Sequence, residues 1–168
     1  EKEYKHILSL ASMCTDSTIE KEGGKLVAKG EAAEIAIVNE ALRMGENKEE
    51  LYNTYKRICD IPFDSERKLM TTIHKKGNKY IVITKGAPDI LINRCTNYYY
   101  NNQINVLDGN IKNKINIKNN NMANNALRVL AVAYKEIEVL PSKIVSENVE
   151  NNLTFIGLIG MIDPPRDG

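Results

Sequence analysis

Two β-prone stretches, residues 69–76 and 79–85, are separated only by Gly77-Asn78, and that spacing constrains the chain more than any other feature. A Gly-Asn pair between two such runs suits a two-residue hairpin turn, and so short a loop fixes which positions oppose one another. With Gly77 and Asn78 as the loop, Met70 stands opposite Lys85, and opposed side chains share a sheet face. Alternation along the strand carries Lys68 onto that face too. Two ammonium groups on one face repel unless something anionic lies between them, which is one reading. In the other, both lysines snorkel outward from a solvated strand end. Phe63 lies just upstream, and Gly86 directly follows Lys85. An aromatic face, a backbone without a side chain for a flat ligand to approach, and two cations together describe a site for a purine nucleotide.

Elsewhere the apolar period is mostly helical. Residues 4–13 carry Tyr4, Ile7, Leu8 and Ala11 at helical spacing, and 31–44 aligns Ile35, Val38 and Leu42. Residues 48–58 keep Leu51, Tyr55 and Ile58 in step, which predicts a third helix. A short extended piece is expected at 25–28 and a short helix at 87–94, opened near Pro88. The Asn-rich span 97–125 reads as a surface strand and loop that turns helical from about Ile111. The apolar runs 127–132 and Leu153–Ile162 are short enough to be buried strands. The expected fold class is α+β, an antiparallel β-sheet flanked by helices, in one domain over 1–168.

Lys and Arg number 23 against 22 for Asp and Glu. No bulk basic field is available for nucleic acid or an anionic bilayer, so an anionic ligand must be held by a local cluster. The longest nearly apolar run, Leu153–Ile162, is about half of the roughly 20 residues a membrane helix needs, and no direct membrane contact is expected. Cys14, Cys59 and Cys95 are too scattered for a disulfide framework or a metal site, which suits a reducing compartment. No arrangement of carboxylates and His asks for a metal, and His6 and His74 read as solvated or locally satisfied. Both ends read as cuts from a longer chain.

Five ordered blocks resemble type II P-type ATPases. Phe63-Asp64-Ser65-Glu66-Arg67-Lys68-Leu69-Met70 and Lys85-Gly86-Ala87-Pro88-Asp89 look like the two nucleotide-pocket motifs of that family's nucleotide-binding (N) domain. Gly30-Glu31-Ala32-Ala33-Glu34 resembles its Gly-Glu-x-x-Glu helix start, and Leu127-Arg128-Val129-Leu130-Ala131 its Leu-Arg-x-Leu-Ala strand. Gly160-Met161-Ile162-Asp163-Pro164-Pro165-Arg166 resembles its return hinge to the phosphorylation domain, placing about 157–168 at the domain's exit. The Phe-Asp-Ser-x-Arg-Lys and Asp-Pro-Pro-Arg forms are most like bacterial and secretory-pathway calcium pumps.

The resemblance implies a site residue by residue. Phe63 is implied to stack on adenine, Glu34 to meet its edge, Lys85 and Gly86 to line the bottom of the pocket, and Lys68 to lie near the phosphates. Arg128 is implied to act on sugar and phosphates and Leu130 on the ring; Met70 and Ser65 complete the set. Calcium pumps of animal muscle membrane carry an Arg at the position of Ser65, which leaves that phosphate contact open. Read without the resemblance, Glu31 and Glu34 are first-turn carboxylates favourable against the helix dipole, and Arg128 is a surface arginine on an edge strand.

The family forms an aspartyl-phosphate on Asp-Lys-Thr-Gly-Thr, which does not occur in these 168 residues. The chain is therefore expected to bind ATP without hydrolysing it. Magnesium is expected only through a phosphorylation domain, with that domain and the actuator domain as partners, at the cytoplasmic face of a membrane. The competing reading is a non-catalytic interaction or regulatory module with a vestigial nucleotide pocket.

Overall fold

The computed structural model describes residues 2–125 and 127–162. In chain order, helix α1 is Lys2–Met13, strand β1 Thr18–Glu22, β2 Lys25–Lys29, α2 Ala32–Arg43, α3 Lys48–Thr54, β3 Arg57–Ile61, β4 Leu69–Lys76 and β5 Lys79–Gly86. Then come α4 Pro88–Leu91 with a 3-10 turn Ile92–Arg94, β6 Cys95–Tyr100, β7 Gln103–Val106, α5 Gly109–Asn124, β8 Leu127–Ile137, α6 Ser146–Val149 and β9 Leu153–Ile162.

Gly77 at φ 60 starts the β4–β5 turn, the left-handed entry that a Gly-first hairpin loop requires. Met70 faces Lys85 and Leu69 faces Gly86. The hairpin sits in a seven-stranded sheet of order β3-β4-β5-β8-β9-β6-β7, with β1 and β2 forming a separate ribbon. The fold is α+β as the sequence predicts, with one departure from a purely antiparallel sheet: β6 runs parallel to β9.

Strand alternation builds a core on each face. On one, Ile7, Leu8 and Ala11 of α1 and Ile37 and Ala41 of α2 pack on Met70, Ile83, Val132 and Ile159. On the other, Leu91, Ile92 and Val149 pack on Leu69, Ile73, Val82, Ala131 and Phe155. A strand covered on both faces reads as a nearly continuous buried run rather than an alternating one, as β4 and β5 do.

The helix expected over 48–58 stops at Thr54. Tyr55 turns to φ −121 and ψ 80, and Arg57–Ile61 pairs along the open side of β4. Pairing with an available strand edge outweighs the local helical period there. After residues 14–17, which are not strand, β1 is turned back onto β2 by Gly23 and Gly24 at φ 55 and 81. A third hairpin, β6–β7, turns on Asn101 and Asn102, both at positive φ. The strand expected at 127–132 continues to Ile137. Helix α5 begins at Gly109, capped by Asp108, whose Oδ1 accepts from the Ile111 N–H at 2.9 Å. Residues 163–166 of the hinge block lie outside the described residues.

Candidate functional site

The start of α2, the loop before β4, the β5 end of the hairpin and the first half of β8 converge on a cavity of about 400 Å³. Glu31 is the α2 N-cap, its carboxylate accepting from the Glu34 N–H at 3.2 Å. Gly30 allows that helix to start close to β1, since a Cβ there would lie 3.1 Å from Ser17 Cα. Glu34, in the first turn of α2, uses both carboxylate oxygens: Oε1 accepts from the Asp16 N–H at 3.0 Å and Oε2 from Lys85 Nζ at 2.6 Å. The side chains of Lys85 and Glu34 are only 8% and 13% exposed, so this is a largely desolvated ion pair on the cavity floor.

That pair corrects the electrostatic reading of the hairpin. Lys85 is balanced by a carboxylate of the protein, not by an anion shared with Lys68. Lys68 falls outside β4 at φ 60, so strand alternation does not reach it. It is exposed and is not among the residues lining the cavity. Ser65, exposed on the same loop, is also outside the lining. The cavity does bring together the remaining candidates: Glu34, Phe63, Met70, Lys85, Gly86, Arg128 and Leu130.

Phe63 is 61% exposed, a large aromatic ring standing over the cavity without being part of either core. Ile37, Met70, Leu130 and Met161 add apolar lining. Arg128 stands at the mouth, its Nη1 3.8 Å from Glu31 Oε1, with both side chains more than half exposed. Gly86 lines the cavity, but its bare position is used by the protein itself. A Cβ there would lie 2.2 Å from the Lys68 carbonyl oxygen and 2.8 Å from Leu69 Cδ2. Glycine is required for β4 and β5 to meet at this point, a different reason from ligand approach.

Asp16 and Ile37 also line the cavity and lie in none of the motif blocks, while Ala33, Val129 and Met161 line it from within three of those blocks, at positions to which the resemblance assigns no role. Asp16 is placed by a buried cluster behind it. Lys48 Nζ donates to the carbonyls of Thr15 (2.9 Å) and Ser17, while Arg57 donates to the Thr15 carbonyl and to Asp16 Oδ1, each at 3.0 Å. Burial, with the Arg57 charge adding to it, pushes the Lys48 ammonium down to about 8. A second concavity of about 430 Å³ lies along Tyr52 and residues 56–60 and includes none of the candidate residues. Among the described residues no group of His, Cys, Asp and Glu is arranged to hold a metal ion, and no helix is long and apolar enough to cross a membrane.

A family model described as P-type ATPase, cytoplasmic domain N, matches residues 3–168. A calcium-transporting ATPase of Bacillus subtilis is 38% identical over 168 residues, covering 98% of this chain and 18% of the relative. Calcium-transporting ATPase 1 of Lactococcus lactis is 34% identical over 167 residues, covering 99% of this chain and 19% of its own length. The corresponding protein of Bacillus cereus is 39% identical over 154 residues, 92% of this chain and 17% of the relative. The chain thus spans less than a fifth of the length of these curated relatives.

Proposed function

The chain belongs to the P-type ATPase cytoplasmic domain N family, and from that premise we propose that it binds ATP by the adenine end in the cavity beneath Phe63. It then presents the terminal phosphate to the phosphorylatable Asp of another domain of a longer, cation-transporting chain. The observation that carries this reading is the exposed Phe63 ring over an apolar slot with a polar floor. Such a ring gives a base a stacking partner, worth about 1–3 kcal/mol by alanine substitution. Met70, Ile37 and Leu130 offer apolar contact to the base. The Glu34 carboxylate accepts only, and retains lone pairs for an exocyclic amine beyond its bonds to Asp16 and Lys85. Arg128, exposed at the mouth, is the cation placed for sugar and phosphates.

The mechanism assigned to this chain is positioning, the main protein contribution to phosphoryl transfer. It grips the nucleotide by the base and leaves the phosphates projecting toward a partner domain. Magnesium ligands and the nucleophile belong to that partner, so this chain binds without hydrolysing. Calcium is the proposed cargo, since these relatives are named calcium-transporting ATPases, and the proposed setting is the cytoplasmic face of a membrane.

One stack and a few polar contacts, less the cost of association, leave on the order of 4–5 kcal/mol, a sub-millimolar to millimolar Kd. Calorimetry with AMP, ADP and ATP, each with and without magnesium, is expected to give similar weak affinities. A tight site selective for the triphosphate, or a large gain with magnesium, contradicts recognition through the base.

A further inference from the structure

Phe63 has little packing of its own to hold it, so the position of its ring is set by the backbone of the loop 62–68. Arg67 closes that loop from inside. Its Nη2 donates to the Pro62 carbonyl at 3.0 Å and to the Leu69 carbonyl at 2.6 Å, tying the start of the loop to the strand that follows it. The guanidinium is itself anchored across the chain: Nε lies 2.8 Å from Glu150 Oε1, with the Arg67 side chain 14% exposed and Glu150 fully buried. The Nε contact is off the linear hydrogen-bond geometry, so it acts mainly through charge.

Glu150 is fixed from several sides. Ser146 Oγ donates to its Oε1 at 2.6 Å, the Thr71 hydroxyl donates to Oε2, and Thr71 is linked to Thr84 at 2.7 Å. Arg94 Nη1 donates to the Glu150 carbonyl at 3.2 Å. A buried carboxylate of this kind is tolerated only with a matching charge and satisfied oxygens, and removing one partner leaves the other stranded. Neither Arg67 nor Glu150 lines the cavity, and no step of nucleotide binding proposed above uses them.

We infer that Arg67 and Glu150 are positioning residues for nucleotide binding: through the Pro62 and Leu69 carbonyls the pair fixes the loop that sets Phe63 over the cavity. This inference rests on the reading of the cavity as the nucleotide site. Arg67→Lys retains a positive charge but has one nitrogen, so it gives up the planar group that meets Glu150 through Nε and the Pro62 and Leu69 carbonyls through Nη2 at the same time. In the 168-residue chain it is expected to weaken ATP binding about fivefold or more, within the range that coupled neighbours show. In a Phe63→Ala background the same substitution should change ATP affinity less than twofold. A merely structural role weakens binding by the same factor in both backgrounds.

If Phe63→Ala leaves ATP affinity unchanged, the nucleotide reading fails. If Phe63→Ala weakens binding while Arg67→Lys does not, or if the two effects multiply, the positioning inference fails alone. A second measurement needs no variant: backbone order parameters of residues 63–67 in the free protein should be near 0.85, as in a rigid element, and values below about 0.6 overturn the inference.

Discussion

Replacing Phe63 by Ala separates two roles that a phenylalanine so placed could play. A buried phenylalanine costs about 3–5 kcal/mol of stability on truncation to Ala. Phe63 is 61% exposed and outside both cores, so its truncation belongs with surface substitutions, within about 0.5 kcal/mol. If the ring instead gives its free face to adenine, the loss appears in binding, about 1–3 kcal/mol. At 1.4 kcal/mol per factor of ten, that is roughly a 5- to 150-fold rise in Kd. Urea unfolding gives the first quantity and calorimetric titration with ATP the second, on the same preparation. The expected pair is an unchanged unfolding midpoint with a Kd raised into or beyond the millimolar range. A large loss of stability with unchanged affinity in the folded fraction refutes the stacking role and places Phe63 among the structural residues.

Gly86→Ala is expected to cost about 1–3 kcal/mol, because its Cβ would meet the Lys68 carbonyl at 2.2 Å; an unchanged urea midpoint contradicts the close approach. Burial, opposed by the hydrogen bond to the Tyr55 carbonyl and reinforced by the Arg57 and Lys48 charges, pushes His74 down to about 4 from 6.5. The unfolded state then binds more protons across that window, so the contribution is full above about pH 6.5 and is lost as pH falls toward 4. It amounts to on the order of 3 kcal/mol, and His74→Gln should flatten this part of the pH–stability curve; equal slopes in both proteins refute the assignment. Lys85→Met leaves the Glu34 carboxylate partly buried without its partner and should cost up to about 3 kcal/mol. Adding Glu34→Gln should recover part of that loss, and a double variant less stable than Lys85→Met contradicts the ion pair.

The sequence is most legible where a short covalent constraint sets geometry. Gly77-Asn78 leaves two residues for a turn, and that alone places Met70 opposite Lys85. The motif blocks locate the walls of the cavity because each lies at the end of an element, where strand exits and a helix start converge. Lys68 was misplaced because alternation holds only while backbone angles stay extended, and with its φ of 60 the strand begins only at the next residue, Leu69. The Glu34–Lys85 pair joins a helix start to a strand end far apart in sequence, and no local pattern announces such a partner. Strand β3 was hidden for a related reason: Ile58 continues the helical spacing of Leu51 and Tyr55, and only the open side of β4 makes pairing the better use of the backbone groups of residues 57–61. The Arg67–Glu150 contact was equally invisible, since an arginine inside a loop motif reads as solvated until the buried carboxylate beneath it is seen.

The central claim is that adenine lies under Phe63, on the floor made by Glu34 and Lys85. The most direct measurement is a two-dimensional amide NMR titration of the 168-residue chain with ATP and with AMP. Saturable shifts are expected for both nucleotides at Glu34, Phe63, Lys85, Gly86 and Leu130, with Arg128 moving more for ATP than for AMP. No saturable shifts, or shifts gathered along Tyr52 and residues 56–60 at the other concavity, would contradict it.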